Sequence, residues 1–264
     1  MTTRLEAWPT PDGEWRYLGN RPSTQRLMTA AALPDIPVSE WREYDLTTDA
    51  AYPIKIKDQN GRGACNGHAA ASSLEIARWI SGQHYEALSA WYVYAKLCNG
   101  WDTGSSIADA LALLSREGTC EEPLVLYGLI NPTMISAAAK ANAANHKIEI
   151  GYALPDWKSL CIAAQLRQPF NFSLSVNGNF NTLDSFGRPQ NHAGAHNHAV
   201  CGGMGMKRTA TGEWLIKMQN SWGTRWGQNG YCWIGEKNVQ GWGWDAYSVV
   251  ATTVDPTNKP PALA

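Results

Sequence analysis

Residues 57–75 read KDQNGRGACNGHAAASSLE. One cysteine, Cys65, follows two glycines, Gly61 and Gly63, that let the backbone turn tightly, and it precedes an alanine-rich run. Beyond it Ala70, Leu74, Ala77 and Ile80 recur at helical spacing, which predicts a helix with one apolar face ending at Ser81-Gly82. Cys65 then falls in the first helical turn. There the unpaired backbone N–H groups and the positive end of the helix dipole favour an anion and lower the pKa of a thiol. A packed structural cysteine needs no such setting, although it is the plain alternative when the position is taken alone.

The whole chain sets bounds on this reading. Its 264 residues suffice for one large domain or two small lobes, and 44% hydrophobic with 17% charged residues is a globular composition. The formal net charge is −1 and Lys and Arg form no extended run, so neither nucleic acid nor a membrane surface is the expected partner. The N-terminal MTTRLEAWPTPDGEWRYLGN lacks the apolar core of a signal peptide, and no stretch reaches transmembrane length. A cytoplasmic protein is expected, with the virion or host cytoplasm as its setting if the source is viral. The six cysteines are Cys65, Cys98, Cys120, Cys161, Cys201 and Cys232. If Cys65 is free, an odd number remains and at least one more is unpaired, the parity of a reduced protein. A Cys98–Cys120 pair stays open.

Residues 1–33 are rich in Pro, Gly and Trp without a sustained period, and read as an irregular N-terminal extension. LPDIPVSEWREYDL marks the entry to a domain over 34–254, with a helical lobe at about 55–150 and a β-rich lobe at about 151–254. The tail DPTNKPPALA, 255–264, is expected to fray. Further helices are predicted at 106–117, with Ser106 and Asp109 as a capping box, from Asn131-Pro132 through MISAAAKANAAN, and over PDWKSLCIAAQLRQ up to Pro169. FNFSLSV alternates apolar and polar residues, as a half-buried strand does, and HAVCGGMG, WLIKMQN and GYCWIGE are further strands between Gly-rich turns. Helices first and strands second make an α+β pattern with two lobes.

Companions strengthen the case for Cys65. Gln59 lies on the loop entering the same helix, where its amide can donate toward an oxyanion formed at the thiol, alongside the Cys65 N–H. NHAVCGGMG offers His198 at the start of a strand, and KMQNSWGTRWGQNGYCWI offers Asn220. The cysteine-to-histidine gap is about 130 residues, a spacing familiar for Cys–His–Asn enzymes. With HAV followed by glycines, NSWGTRWGQNGY, and LSAWYVYAKLCNG followed by DTGSSIADALALLSREGTC, the chain from about 34 to 250 resembles the papain-like cysteine peptidases. It is nearer in these motifs to compact bacterial and viral members than to plant or lysosomal ones.

The resemblance implies an α+β papain-like two-lobe fold. A helical lobe would carry Cys65, a barrel-like β-rich lobe would carry His198 and Asn220, and the cleft would run between them. It implies hydrolysis of peptide bonds through a Cys65 thioester, with His198 as base and then acid, Asn220 orienting the imidazole, and Gln59 with the Cys65 amide holding the oxyanion. Gly104 and Ser105 would bind the backbone of an extended peptide. Trp222 would complete this substrate-binding set while shielding the His198–Asn220 hydrogen bond. A peptide or protein substrate and no metal or organic cofactor are implied, together with a Cys–His ion pair and a bell-shaped pH dependence.

The chain also departs from the family pattern. Asn66 stands where plant and lysosomal members have Trp, and Arg62 where many have a disulfide cysteine. Residues 1–33 are too few for the family's long inhibitory pro-segment, which leaves room for a short autoinhibitory or docking arm. Other readings are weaker. His192 and His196 have a metal-like spacing, but the loop context supplies no further ligand, so both are expected near the cleft. His68 would point along its own helix instead of across a cleft. A non-catalytic papain-fold binding module and a thiol amidase or isopeptidase acting on cell-wall peptides or a conjugated modifier are the competing functions. The complete set of Gln59, Cys65, His198 and Asn220 favours an active peptidase.

Overall fold

The computed structural model describes residues 5–29 and 32–252; the tail expected to fray lies outside the described residues. A hairpin comes first, β1 (Glu6–Pro9) antiparallel to β2 (Trp15–Leu18). A short β3 (Tyr44–Asp45) precedes the helices α1 (Cys65–Ile80), α2 (Ala90–Cys98), α3 (Ile107–Arg116) and α4 (Ala137–Ala143). β4 (Ile148–Ala153) and α5 (Trp157–Gln165) lead to β5 (Phe170–Leu174). The remaining elements are strands: β6 (Asn179–Leu183), β7 (Pro189–Gln190), β8 (Gly194–Ala195), β9 (His198–Arg208), β10 (Trp214–Gln219), β11 (Tyr231–Ile234), β12 (Gly241–Trp242) and β13 (Ala246–Ala251). The main sheet runs β11-β10-β9-β5-β13-β4, with β3 added to β9, and all its pairings are antiparallel. No helix among the described residues is long and apolar enough to cross a membrane.

α1 is the axis on which both lobes pack. It is buried through all but its last two residues, so the expected single apolar face is replaced by a helix enclosed on every side. Leu74 and Ala77 join Leu111 and Leu114 of α3 in one core with Val249 of β13, while α2 approaches so closely that a Cβ on Gly67 would lie 2.8 Å from the Ala90 carbonyl. Polar side chains of α1 find partners inside. Ser73 Oγ donates to Asn171 Oδ1 of β5, and Glu75 accepts from Lys57 Nζ at 2.8 Å and from the Leu88 N–H at 2.6 Å. A buried charge without such partners would be costly.

The same packing corrects the half-buried reading of β5. Phe170, Phe172 and Leu174 enter the core shared with α5, and the alternate residues Asn171 and Ser173 are buried as well. Three other expectations change. The helix predicted from Asn131 splits into a 3-10 turn at Pro132–Met134 and α4, because Ile135 is extended and Ser136 caps afresh. At α3, Ser106 Oγ accepts from the Asp109 N–H at 3.1 Å, but it also donates to the Asp109 carboxylate, so the reciprocal half of the box is not made. A boundary near 150 would cut β4, which pairs with β13 and so belongs to the sheet of the β-rich lobe. The six cysteines are all free and buried, and Cys98 and Cys120 are not joined.

Candidate active site

The loop into α1 turns through left-handed conformations at Asn60 (φ 41°) and Gly61 (φ 62°), and the helix begins at Cys65 with no side chain capping it. Its first N–H groups therefore stay free to face the thiol. Gln59 is held by both ends of its amide. Its Oε1 accepts from Ser221 Oγ at 2.9 Å and Trp222 Nε1 at 3.2 Å, which turns Nε2 forward into the cleft. The bridge between Asp58 and Trp222 fastens this loop to the β-rich lobe.

His198 is the first residue of β9, and its Nε2 lies 2.8 Å from Asn220 Oδ1 at the end of β10. That oxygen also accepts the Ser221 N–H at 2.8 Å, which fixes the amide orientation. Nε2 of His198 must then carry the hydrogen, leaving Nδ1 with a free lone pair that no other protein group uses. The Trp222 ring lies against the imidazole at 4.9 Å between centroids. The N–H groups of Ala199, which follows His198, and of Asn66 surround the Cys65 thiol, so the start of β9 and the start of α1 meet at one point between the lobes.

The expected irregular extension occupies this cleft. After the β1–β2 hairpin the chain crosses between the lobes: the Tyr17 carbonyl accepts from Gln59 Nε2 at 2.8 Å, and the Gly19 N–H reaches the Cys65 thiol. Ser105 N–H donates to the Gly19 carbonyl and the Arg21 N–H to the Ser105 carbonyl, each at 2.9 Å, making a parallel bridge. On the opposite side the Asn20 N–H donates to Asn197 O at 3.1 Å and its Nδ2 to His196 O at 2.9 Å. The fit leaves no room for side chains: a Cβ on Gly19 would stand 1.9 Å from Gly63 O, and one on Gly104 would stand 2.3 Å from Gly19 O. Of the expected backbone-binding pair, Ser105 makes the hydrogen bonds and Gly104 provides the close approach.

Under this arm Cys65 and His198 are both wholly buried. Burial pushes the thiol up to about 11, against the opposing pull of the surrounding N–H groups, and pushes His198 down to about 4, although Asn220 favours its protonated form. In this covered state burial opposes both the low thiol pKa and the Cys–His ion pair expected from the sequence. Excluding water costs each charged form more than the helix terminus and Asn220 return.

Trp222 is buried in this covered state, wedged among His198, Phe180 and Trp226. His68 packs edge-on to Trp91 with Nδ1 on the Ala64 carbonyl at 2.9 Å, away from the thiol. His196 is buried against Ser173 Oγ and His192 lies exposed against the Ala193 carbonyl. Two residues gain importance. Asn66 Nδ2 donates to the Ser105 carbonyl at 2.7 Å, tying the start of α1 to the segment that pairs with the arm. Asp102 accepts from Gly63 N–H at 2.9 Å and from Tyr94 Oη, which in turn accepts from Gly104 N–H at 3.1 Å, so one carboxylate sets the spacing of both loops.

Known structures share this arrangement of lobes. Xylellain, a cysteine protease from Xylella fastidiosa, matches with a TM-score of 0.74 at 19% identity, over 96% of this chain and 100% of that one. Bromelain protease from Ananas comosus, in complex with the E64 inhibitor, matches with 0.60 at 22% identity, over 80% and 98%. The ragweed pollen allergen Amb a 11, a cysteine protease in its proform, matches with 0.65 at 22% identity, over 82% and 66%. No curated protein matches the chain significantly. The family model for papain family cysteine protease matches residues 39–252, most of the chain, and the protein belongs to that family.

Proposed function

We propose that the chain hydrolyses peptide bonds with Cys65 as nucleophile, His198 as its base and acid, Asn220 as the group that orients His198, and Gln59 with the Cys65 amide as the oxyanion site. The observation that carries this reading is the occupant of the cleft. A peptide carbonyl, that of Tyr17, already sits on Gln59 Nε2 while the neighbouring backbone hydrogen-bonds Ser105 and Asn197. In the working form a substrate takes the arm's place. His198 Nδ1 takes the thiol proton as the sulfur attacks the scissile carbonyl, and the oxyanion forms where the Tyr17 carbonyl now lies. Collapse breaks the C–N bond, the proton passes from His198 to the departing amine, and a thioester remains. Water, losing a proton to His198, attacks the thioester; the acid leaves and the proton returns to sulfur.

The test uses the full chain and its Gly19→Val form, in which the arm cannot seat, because a Cβ at that position meets the Gly63 carbonyl. Mass spectrometry after reaction with a thiol-directed epoxide should find one adduct, on Cys65, formed faster in Gly19→Val and lost in His198→Ala. Displacing the arm uncovers Cys65 while the other five thiols stay buried, so the loss of the adduct in His198→Ala, rather than its selectivity, reports activation by the imidazole. Equal labelling of the six, or no labelling in either form, would overturn the reading.

A further inference from the structure

We infer that Asp102 is a positioning residue that joins the oxyanion donor to the segment that pairs with a bound backbone, so that one carboxylate sets both halves of the cleft; this rests on the peptidase reading above. Asp102 lies on the loop between α2 and α3, and its side chain is 18% exposed. Its Oδ1 accepts two hydrogen bonds, one from the Gly63 N–H at 2.9 Å and one from Tyr94 Oη.

The first bond leads to the oxyanion donor. The peptide unit joining Arg62 to Gly63 is held at both ends: its N–H donates to Asp102, and its carbonyl accepts from Gln59 Nε2 at 2.6 Å. A side-chain amide nitrogen carries two hydrogens. With one on the Arg62 carbonyl, the other is aimed at the Tyr17 carbonyl, 2.8 Å away, where the oxyanion would form. Gln59 is thus braced from both lobes. Ser221 and Trp222 hold its oxygen, and Asp102 fixes, through one peptide unit, the carbonyl that holds its nitrogen.

The second bond leads to the backbone-binding segment. Tyr94 Oη accepts from the Gly104 N–H at 3.1 Å, so its own hydrogen goes to Asp102. Burial and the neighbouring carboxylate hold the buried phenol well above its ordinary pKa, which keeps it a donor. Gly104 precedes Ser105, whose N–H and carbonyl pair with the arm. A Cβ on Gly63 would stand 3.3 Å from both Asp102 Oδ1 and Tyr94 Oη, so the three groups are in close contact. Arg62 Nη1 comes only to 3.7 Å from Asp102 Oδ2, and its side chain is 44% exposed, too long and too wet a contact to carry the connection. Asp102 therefore acts as a shared acceptor and not as half of an ion pair.

The two routes predict separable kinetics, read as steady-state cleavage of one peptide by the full chain carrying Gly19→Val, alone and with each further substitution. Tyr94→Phe cuts only the route to Gly104, and should raise KM about tenfold with kcat kept within about threefold. Asp102→Ala cuts both routes. KM should rise as much, and kcat should fall about tenfold, less than loss of an oxyanion donor itself would cost. Asp102→Asn keeps an Oδ1 that accepts both bonds, and should bring both constants back to within about threefold of the Gly19→Val chain. Alkylation of Cys65 by iodoacetamide uses neither Gln59 nor Ser105, so its rate should stay within about twofold throughout. Cleavage with KM and kcat unmoved by Asp102→Ala, or Asp102→Asn as impaired as Asp102→Ala, would overturn the proposal and leave the peptidase reading standing. Alkylation that falls in step with cleavage would do the same, by placing the effect on the thiol. If Asp102→Ala fails to fold, Tyr94→Phe still decides, because an unchanged KM there overturns the proposal. No cleavage by the Gly19→Val chain itself, with Cys65 unlabelled, would overturn both.

Discussion

At the scale of single residues, the site separates groups that meet the reacting atoms from groups that only hold them in place. Gln59 Nε2 donates to the Tyr17 carbonyl, which stands where negative charge would develop, and the Gln59 amide oxygen is held by Ser221 and Trp222. Gln59→Ala should therefore lower kcat by about 10²–10³-fold with little change in KM. The side-chain amide of Asn66 reaches the Cys65 sulfur only at 4.0 Å, yet it steadies the Ser105 carbonyl that pairs with the backbone in the cleft. Asn66→Leu should raise KM by about tenfold, the worth of one such hydrogen bond, with kcat nearly kept. Steady-state kinetics on one peptide separates the two; a kcat effect for Asn66→Leu as large as that for Gln59→Ala would show that it acts on the chemistry instead. Cys65, Gln59, His198 and Asn220 were legible in the sequence because each sits in a local motif that carries its own reason. Asp102 and Tyr94 were not, because their role arises only when folding brings Gly63 and Gly104 to either side of them. Trp222 was legible as a neighbour of the imidazole, but its packing against Phe180 and Trp226 was not, since sequence does not show which face of a ring is covered.

At the scale of elements, the arm has two parts with different attachments. The β1–β2 hairpin is docked on the β-rich lobe by Asp12 with Arg225 at 2.9 Å, by Asn181 Nδ2 on the Pro9 carbonyl at 2.7 Å, and by Leu18 in the core. The crossing segment from Gly19 onward is held mainly by backbone hydrogen bonds to Ser105 and Asn197, the groups a substrate would use. Such a segment has no period of its own, because its partners lie on both lobes, and this is why it reads as irregular in the sequence. α1 shows the converse: its existence was plain from Ala and Leu spacing, but its enclosure on all sides follows from α2 and from β5, whose polar alternation suggested a solvent face. Displacing the crossing segment should change the chemistry of the thiol. While it is seated, Cys65 titrates near 11 and His198 near 4, so alkylation of Cys65 should rise with pH in a single limb through the alkaline range. In Gly19→Val water reaches both groups, the thiol pKa falls, the imidazole pKa rises, and the rate near neutrality should increase about tenfold or more with a bell-shaped profile. Rates of iodoacetamide reaction against pH decide this; identical profiles for the two proteins would show that the crossing segment does not control the thiol.

At the scale of the whole molecule, packing two lobes around α1 buries ionisable groups that a sequence cannot rank by depth. His68 is one of them, enclosed by Trp91 and the Ala64 carbonyl with the charge of Lys57 nearby, and burial lowers it to about 4, as it lowers His198. Both imidazoles are neutral in the folded chain, whereas in the unfolded chain they titrate near 6.5. Between pH 6.5 and 4 the unfolded chain binds more protons, so the stability these groups supply is complete above 6.5 and is lost as pH falls toward 4. At about 1.4 kcal/mol per pH unit, each histidine removes about 2–3 kcal/mol between pH 7 and 4.5. Glu75 and Asp245 act in the opposite sense, because burial raises their carboxyls and their protonation favours the folded chain as pH falls. The net slope mixes these contributions, and one substitution isolates one of them. His68→Gln cannot charge, so urea unfolding at pH 7 and pH 4.5 should show a loss on acidification about 2 kcal/mol smaller than in the unsubstituted chain, whatever its stability at pH 7. His68 is held by the Ala64 carbonyl and the Trp91 ring, so this difference reports the depth of α1 and not the chemistry beside it. Equal losses in the two proteins would place His68 in a wetter interior than the packing of α1 against α2 allows.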